Sequence, residues 1–259
     1  MRDKIWVQRI GWIILIACSW EMSSRLGLVN QFLLPSFSKV MSELIRELVN
    51  GKFAVQIMNS FGLILIGFLI SLILTVIICL GCVYSKVFNS LIDTLCTIMT
   101  PLPGVAVMPI IIMIFGIDTK AMIVLMLHSV LWPLVINILG GMILVPQIQI
   151  DYARNIGLSK REIMLEIYAH FMMPCLISGL KIGWSRSWRA LISAEMVFGM
   201  VGNIGGVGYY IFTNRAYGNI TRVMAGVIVI IVIGVFMESV VLERIQEKTI
   251  KKWGLDRGI

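Results

Sequence analysis

Apolar residues in this chain come in long runs separated by short polar stretches, unlike the broken clusters of a water-soluble core. The runs cover residues 10–28, 60–84, 91–117 and 121–145, then a fifth from residue 175 onward, and finally 224–242. Crossing a bilayer takes about 20 apolar residues in a helix. The pattern therefore predicts an all-α polytopic membrane protein with about six transmembrane helices. Arg2, Lys4 and Arg9 precede the first run, and Trp20, Glu21 and Arg25 close it in place of a small-x-small cleavage site. It reads as an uncleaved span and not as a signal peptide. Residues 29–55 form an amphipathic outer segment: Leu34-Pro35-Ser36 opens it, Ser38 is the expected helix cap, and Val40, Leu44 and Leu48 recur on one face. The chain divides into this N-terminal part (1–55), a core membrane domain (56–245) and a basic tail (246–259).

The longest polar interruption in the second half is DYARNIGLSKREIMLEIYAHFMMP, within a loop read as 146–174. Asp151 to Ile156 suits a short helix, and Gly157 stands where a helix ends in a left-handed residue. Ser159 precedes Glu162 by three, the spacing of a capping box that starts a second helix toward Met173. Ile163, Ile167 and Phe171 recur at four-residue spacing as an apolar stripe. The segment is thus a helix–Gly–helix elbow with an apolar face, a shape that suits docking into a groove on another protein.

Two spans carry chemistry. The third contains Pro101, Pro103 and Pro109; prolines inside a span free carbonyls that a neighbour or a watery cavity must satisfy. The fifth contains Lys181, Arg186, Arg189 and Glu195 among Trp184 and Trp188. Charges inside a span cost roughly 2.5–3.5 kcal/mol each on insertion scales, so they face a cavity or a partner. Lys181, Ser185 and Arg189 share one broad helix face, with Glu195 about a third of a turn away. These residues are read either as an anion-receptive translocation pathway, or as structural groups paired with Glu195, Glu238 or freed carbonyls. Gly199 to Ile211 is glycine-rich, but no Lys-Ser/Thr follows and no strand precedes it, which argues against a phosphate loop. It reads as a flexible outer connection.

Composition fits this picture. The chain is 58% hydrophobic and 14% charged, against about 25% charged in soluble domains; its mean hydropathy is +0.92. The net charge of +8 lies beside apolar spans as orientation signals do, and no basic stripe with interleaved aromatics argues for nucleic acid. Lys and Arg are more numerous at both termini, at Lys86 and in the elbow (Arg154, Lys160, Arg161) than in the outer loops. This bias orients both termini and the elbow to the cytoplasm. Cys18, Cys79, Cys82, Cys96 and Cys175 lie in or beside apolar runs and read as packing residues. Cys79-x-x-Cys82 lacks the second pair or the histidine of a zinc site. His128 and His170 stand apart, so neither a metal nor another cofactor is expected.

Asp151, Ala153, Gly157, Ile167 and Pro174 resemble the EAA loop of ABC-importer permease subunits, with Asp for the family's Glu, Tyr152 for its first Ala and His170 at the usual first Pro position. Leu34-Pro35-Ser36, the Pro101-x-Pro103 stretch with Phe115-Gly116-Ile117, and the Gly-Tyr-Tyr-Ile segment ending at Ile211 are similar to the nitrate/sulfonate/taurine subgroup. The resemblance spans nearly the whole chain. It implies a type I importer transmembrane domain with a cytoplasmic coupling helix, usually a homodimer with the pathway along the subunit interface. It also implies two ATP-binding subunits inside, an extracytoplasmic substrate-binding protein outside, and the bacterial cytoplasmic (inner) membrane as location. ATP hydrolysis is then a partner's, since this chain lacks a Walker A sequence. The coupling role falls on Asp151, Ala153, Gly157, Ser159, Glu162, Ile163, Ile167 and Pro174. The expected cargo is a small anion such as a sulfonate, taurine or nitrate. The alternatives are a thiamine-precursor pyrimidine or other aromatic solute, for which Trp184 and Trp188 supply stacking faces, and, in another class, an ion-coupled secondary transporter or channel.

Overall fold

A computed structural model describes residues 2–201 and 205–252, with side chains over 7–201 and 205–247. The side chains of Arg2, Lys4, Lys248, Lys251 and Lys252, and all of Arg257, lie outside that description, as do residues 202–204 of the glycine-rich stretch. Every regular element described is helical: α1 (Arg2–Arg25), α2 (Phe37–Val49), α3 (Lys52–Tyr84), α4 (Lys86–Met99), α5 (Gly104–Phe115), α6 (Thr119–Ile143) and α7 (Gln147–Asn155). Next come α8 (Lys160–Phe198), α9 (Val207–Ala216) and α10, which starts at Ile220 and continues through Glu243–Lys252. Two helices contain a wider, π-type turn: Ile163–Tyr168 in α8 and Met237–Leu242 in α10.

Among the described residues, α3, α6, α8 and α10 are long and apolar enough to cross a membrane, and α4 with α5 makes a fifth span if that bent pair counts as one. The sequence suggested about six. The difference is α1, where only a short charge-free stretch separates Arg9 from Glu21. The third apolar run is broken, as its prolines require: α4 and α5 meet at 106° around Pro101-Leu102-Pro103. His128 on α6 donates through Nε2 to the freed carbonyl of Leu102 at 3.3 Å.

The chain forms two compact units. The first comprises Met1–Asn59 and Glu195–Ile231. Here Trp20 Nε1 donates to the Pro35 carbonyl at 2.9 Å and Ser24 to that of Leu34 at 2.9 Å, which seats α1 on α2. The cap of α2 is Ser36, not Ser38; Ser38 donates instead through its backbone and hydroxyl to Glu21. Arg222 donates to Glu43 at 2.8 Å and pairs with Glu47 at 2.9 Å. Phe53 stacks on Tyr210 with centroids 4.0 Å apart. The glycine-rich stretch is a connection only in part, because Val207 onward is a buried helix.

The second unit comprises Ser60–Ala194 and Val232–Ile259. Its centre is α6, which buries Leu125, Met126, Val130, Leu134 and Val135. Cys175, Gly179, Gly183 and Ser187, spaced by four, give α8 a row of small residues. A Cβ added at Gly179 would stand 3.2 Å from Leu134, and one at Gly183 2.8 Å from Phe68 and 3.3 Å from Leu134. Small residues in such a row let helices approach closely where lipid offers no hydrophobic drive. Cys79, Cys82 and Cys96 pack with Ile92, Val135 and Ile138 in one apolar cluster.

Candidate functional site

The elbow follows its local sequence signals closely. In α7, Ile150 and Ala153 are buried while Asp151 faces outward, accepting from Gln147 at 3.0 Å with Arg154 at 3.7 Å. Gly157 has φ +86°. Its N–H donates to Arg154 and that of Leu158 to Ala153, both at 3.0 Å, which closes a Schellman motif. The capping box is complete: Ser159 N–H donates to the Glu162 carboxylate at 2.7 Å, and Glu162 N–H to the Ser159 hydroxyl at 3.3 Å.

Two expectations change here. The second helix does not stop near Met173; it runs 39 residues from Lys160 to Phe198. Pro174 sits inside it, since a span surrounded by neighbouring helices tolerates the missing N–H. The predicted apolar stripe also turns inward. Ile163 is buried, Ile167 and Phe171 are half-buried, and α7 packs on this turn. The apolar residues left facing outward are Ile148 and Tyr152 on α7 and Ile156 at its C-cap, with Leu165 beyond. Spacing alone gave a stripe without saying which way it points.

Within the second unit, α5, α6 and α8 enclose an open cavity of about 390 Å³. Arg186 and Arg189 of α8 line it with Ser193, facing Ser129 of α6 and the first turn of α5 at Pro103 and Gly104. Pro103 supplies no side-chain cap to α5; its carbonyl accepts from the Ala106 N–H at 2.9 Å, and the positive end of the helix dipole meets no acidic side chain in the first turn. Gly104 makes this arrangement possible, because a Cβ there would stand 2.6 Å from the Ser129 hydroxyl. Arg189 donates through Nε to the Ser185 carbonyl at 3.1 Å. Among the described residues, neither Arg186 nor Arg189 has a carboxylate partner, and no carboxylate lines the cavity. Two guanidinium groups, two hydroxyls and a helix N-terminus are groups whose chemistry suits an oxyanion.

The remaining predicted pathway residues separate. Lys181, Trp184 and Trp188 line a second, smaller cavity of about 60 Å³ with Glu238, and Arg189 contributes to both cavities. Pro101 is exposed at the α4–α5 break. Glu195 is 2% exposed and accepts from the Gly208 N–H at 2.8 Å, capping the start of α9. Ser129, Ser193 and Gly104 were not legible beforehand: isolated small residues in apolar runs carry no periodic signal.

The family of binding-protein-dependent transport system inner membrane components matches residues 67–248. The putative aliphatic sulfonates transport permease protein of Bacillus subtilis is 25% identical over 98% of this chain and 92% of its own length. The nitrate import permease protein of Leptolyngbya laminosa is 26% identical over 72% and 65% respectively. The taurine transport system permease protein of Escherichia coli is 21% identical over 88% and 84%. With most of its length matched, this chain belongs to the inner-membrane permease subunits of ABC importers, of the nitrate/sulfonate/taurine type, embedded in the membrane while a separate subunit hydrolyses ATP.

Proposed function

We propose that this permease passes a small oxyanion-bearing solute through the cavity at Arg186 and Arg189. A binding protein delivers the solute and an ATPase pair drives it. The observation that carries the reading is the pair of guanidinium groups without carboxylate partners, facing the uncapped start of α5. The relatives for sulfonates, nitrate and taurine support it. The indole rings argue against the aromatic-solute alternative. Trp184 is buried edge-to-face against Phe61 and Phe68, Trp188 is buried as well, and the cavity they line measures only about 60 Å³, too little for an aromatic ring to stack on either.

The elbow is the proposed coupling element, on the cytoplasmic side with both termini, in a homodimer. Asp151, Tyr152 and the exposed row Ile148–Ile156 form its docking face; Ala153, Ile163 and the caps at Gly157, Ser159 and Glu162 hold that face in shape. A docking helix shifts the permease between states only if it binds two ATPase conformations unequally. Gly157→Pro removes both the positive φ and the N–H that donates to Arg154. The variant is expected to insert normally and to hydrolyse ATP without moving solute.

The test is ATP-driven uptake of radiolabelled sulfonate, taurine or nitrate into proteoliposomes carrying permease, ATPase and binding protein. Arg186→Gln and Arg189→Gln are expected to lower uptake at least tenfold with insertion unchanged. Undiminished anion uptake by both variants, or uptake driven by an ion gradient without ATP, overturns the reading.

A further inference from the structure

We infer that the small cavity between α8 and the π turn of α10 is a second oxyanion subsite, and that Glu238 is its built-in competitor. The inference rests on the anion-importer reading and adds a step after the Arg186 cavity. Lys181, Ser185 and Arg189, four residues apart on α8, form one wall; Gly234, Glu238 and Leu242 of α10 form the other. About 60 Å³ is room for a headgroup of a few heavy atoms, given about 30 Å³ per water in the liquid. The Trp188 indole nitrogen points toward Gly234, lying 3.9 Å from where a Cβ of that residue would be.

Three features point to an anionic occupant. Lys181 makes no hydrogen bond or ion pair among the described residues, although Glu238 lines the same cavity. Trp184 and Trp188 are 4% and 6% exposed, and neither indole N–H has a partner. A buried donor without a partner is costly, so these two N–H groups favour an acceptor beside them. Arg189 belongs to both cavities, so an oxyanion leaving Arg186 need not lose all its partners at once. An oxyanion accepts from Lys181 and Arg189, and a small rotation of the indoles adds their N–H groups.

Glu238 gives the subsite its sign. Its carboxylate repels the bound oxyanion and competes for Lys181. Occupancy is therefore brief, as transport requires of an intermediate site that must release what it binds. Removing that charge should tighten binding and slow release, the opposite of what loss of an ordinary ligand-binding group does.

The experiment titrates methanesulfonate into the permease–ATPase complex in nanodiscs, following intrinsic tryptophan fluorescence. ATP-driven uptake is measured in parallel on the full system. A saturable signal is expected in the wild type and a lost one in Lys181→Gln. Trp188→Phe, which keeps an aromatic side chain but removes the N–H, is expected to raise the apparent Kd read from the remaining tryptophans. Glu238→Gln is expected to lower the apparent Kd roughly tenfold and to lower maximal uptake. If Glu238→Gln binds as weakly as the wild type or more weakly, or if Lys181→Gln binds normally, the subsite is overturned while wild-type uptake stands. If wild-type proteoliposomes take up no anion with ATP, the parent reading fails instead.

Discussion

A single methyl group at residue 104 is the smallest probe of the large cavity. Gly104→Ala puts a Cβ 2.6 Å from the Ser129 hydroxyl, so that hydroxyl must turn away from its present position, a change of one side-chain rotor. Several-fold lower anion uptake is expected at an unchanged melting temperature in detergent; equal uptake would show that the α5 N-terminus takes no part. At the elbow, Ser159→Ala removes a cap worth about 1 kcal/mol. Hydrogen exchange at residues 159–163 should quicken while exchange in α6 stays as slow as before. Ser159, Glu162 and Gly157 were legible because capping motifs are set by residues a few positions apart, and no distant part of the chain has to be known. Ile163 shows the complementary limit. Four-residue spacing marks a face, and only the packing of α7 against it decides that the face is covered.

Between elements, the tight seam is α8 on α6. Gly183→Ala sets a methyl group 2.8 Å from the Phe68 ring and 3.3 Å from Leu134. Overpacking of this kind costs about 1–3 kcal/mol, which a lowered melting temperature of the purified protein would register. The row Cys175, Gly179, Gly183, Ser187 carries no apolar or charge signal in the sequence, unlike the charges and tryptophans on the same helix. Small residues announce themselves only through what comes close to them. A different tie joins α2 to α10 in the first unit. Burial pushes the Glu43 carboxyl up, but hydrogen bonds and charge from Arg222 and Arg46 outweigh it and hold the group below the usual carboxylate range. Its stabilising contribution is complete above the unfolded value of about 4.3 and is lost as pH falls through the lower folded value. Wild-type protein should therefore lose thermal stability on acidification below about pH 4, and Arg222→Gln should flatten that dependence. Identical acid profiles for the two would remove the Arg222–Glu43 pair from the account.

At the scale of the molecule, the apolar surface is the dominant fact. Val76, Ile77 and Leu80 on α3, Met113 and Ile114 on α5, and Ile231 and Val232 on α10 are all exposed. Patches of that kind destabilise a soluble protein in solution but are matched to a bilayer. The long runs made this legible from sequence alone. The span count was less so, because α1 is divided by its charges and the third run is folded back at its prolines. The whole-molecule prediction concerns company. A mild-detergent pull-down of tagged chain should recover a Walker-motif ATPase in near-equal amount, and Ile148→Asp with Ile156→Asp should release it. Recovery of the chain alone from the wild type would count against the docking face.

One helix has a consequence of a mechanical kind. At 1.5 Å per residue, the 39 residues from Lys160 to Phe198 extend about 58 Å, nearly twice the roughly 30 Å hydrocarbon thickness. The capping box lies at one end, and Arg186 and Arg189 lie some 40 Å away along the same rod. A tilt of about 5° imposed at the elbow then displaces the guanidinium groups by about 3.5 Å, more than the length of a hydrogen bond. The widened turn at Ile163–Tyr168 and Pro174 sit between the two ends, where the rod is softest. Transmission would then depend on bending stiffness there, so substitutions that straighten or loosen this short stretch should alter how much of each stroke reaches the solute, even though they touch neither partner nor cargo.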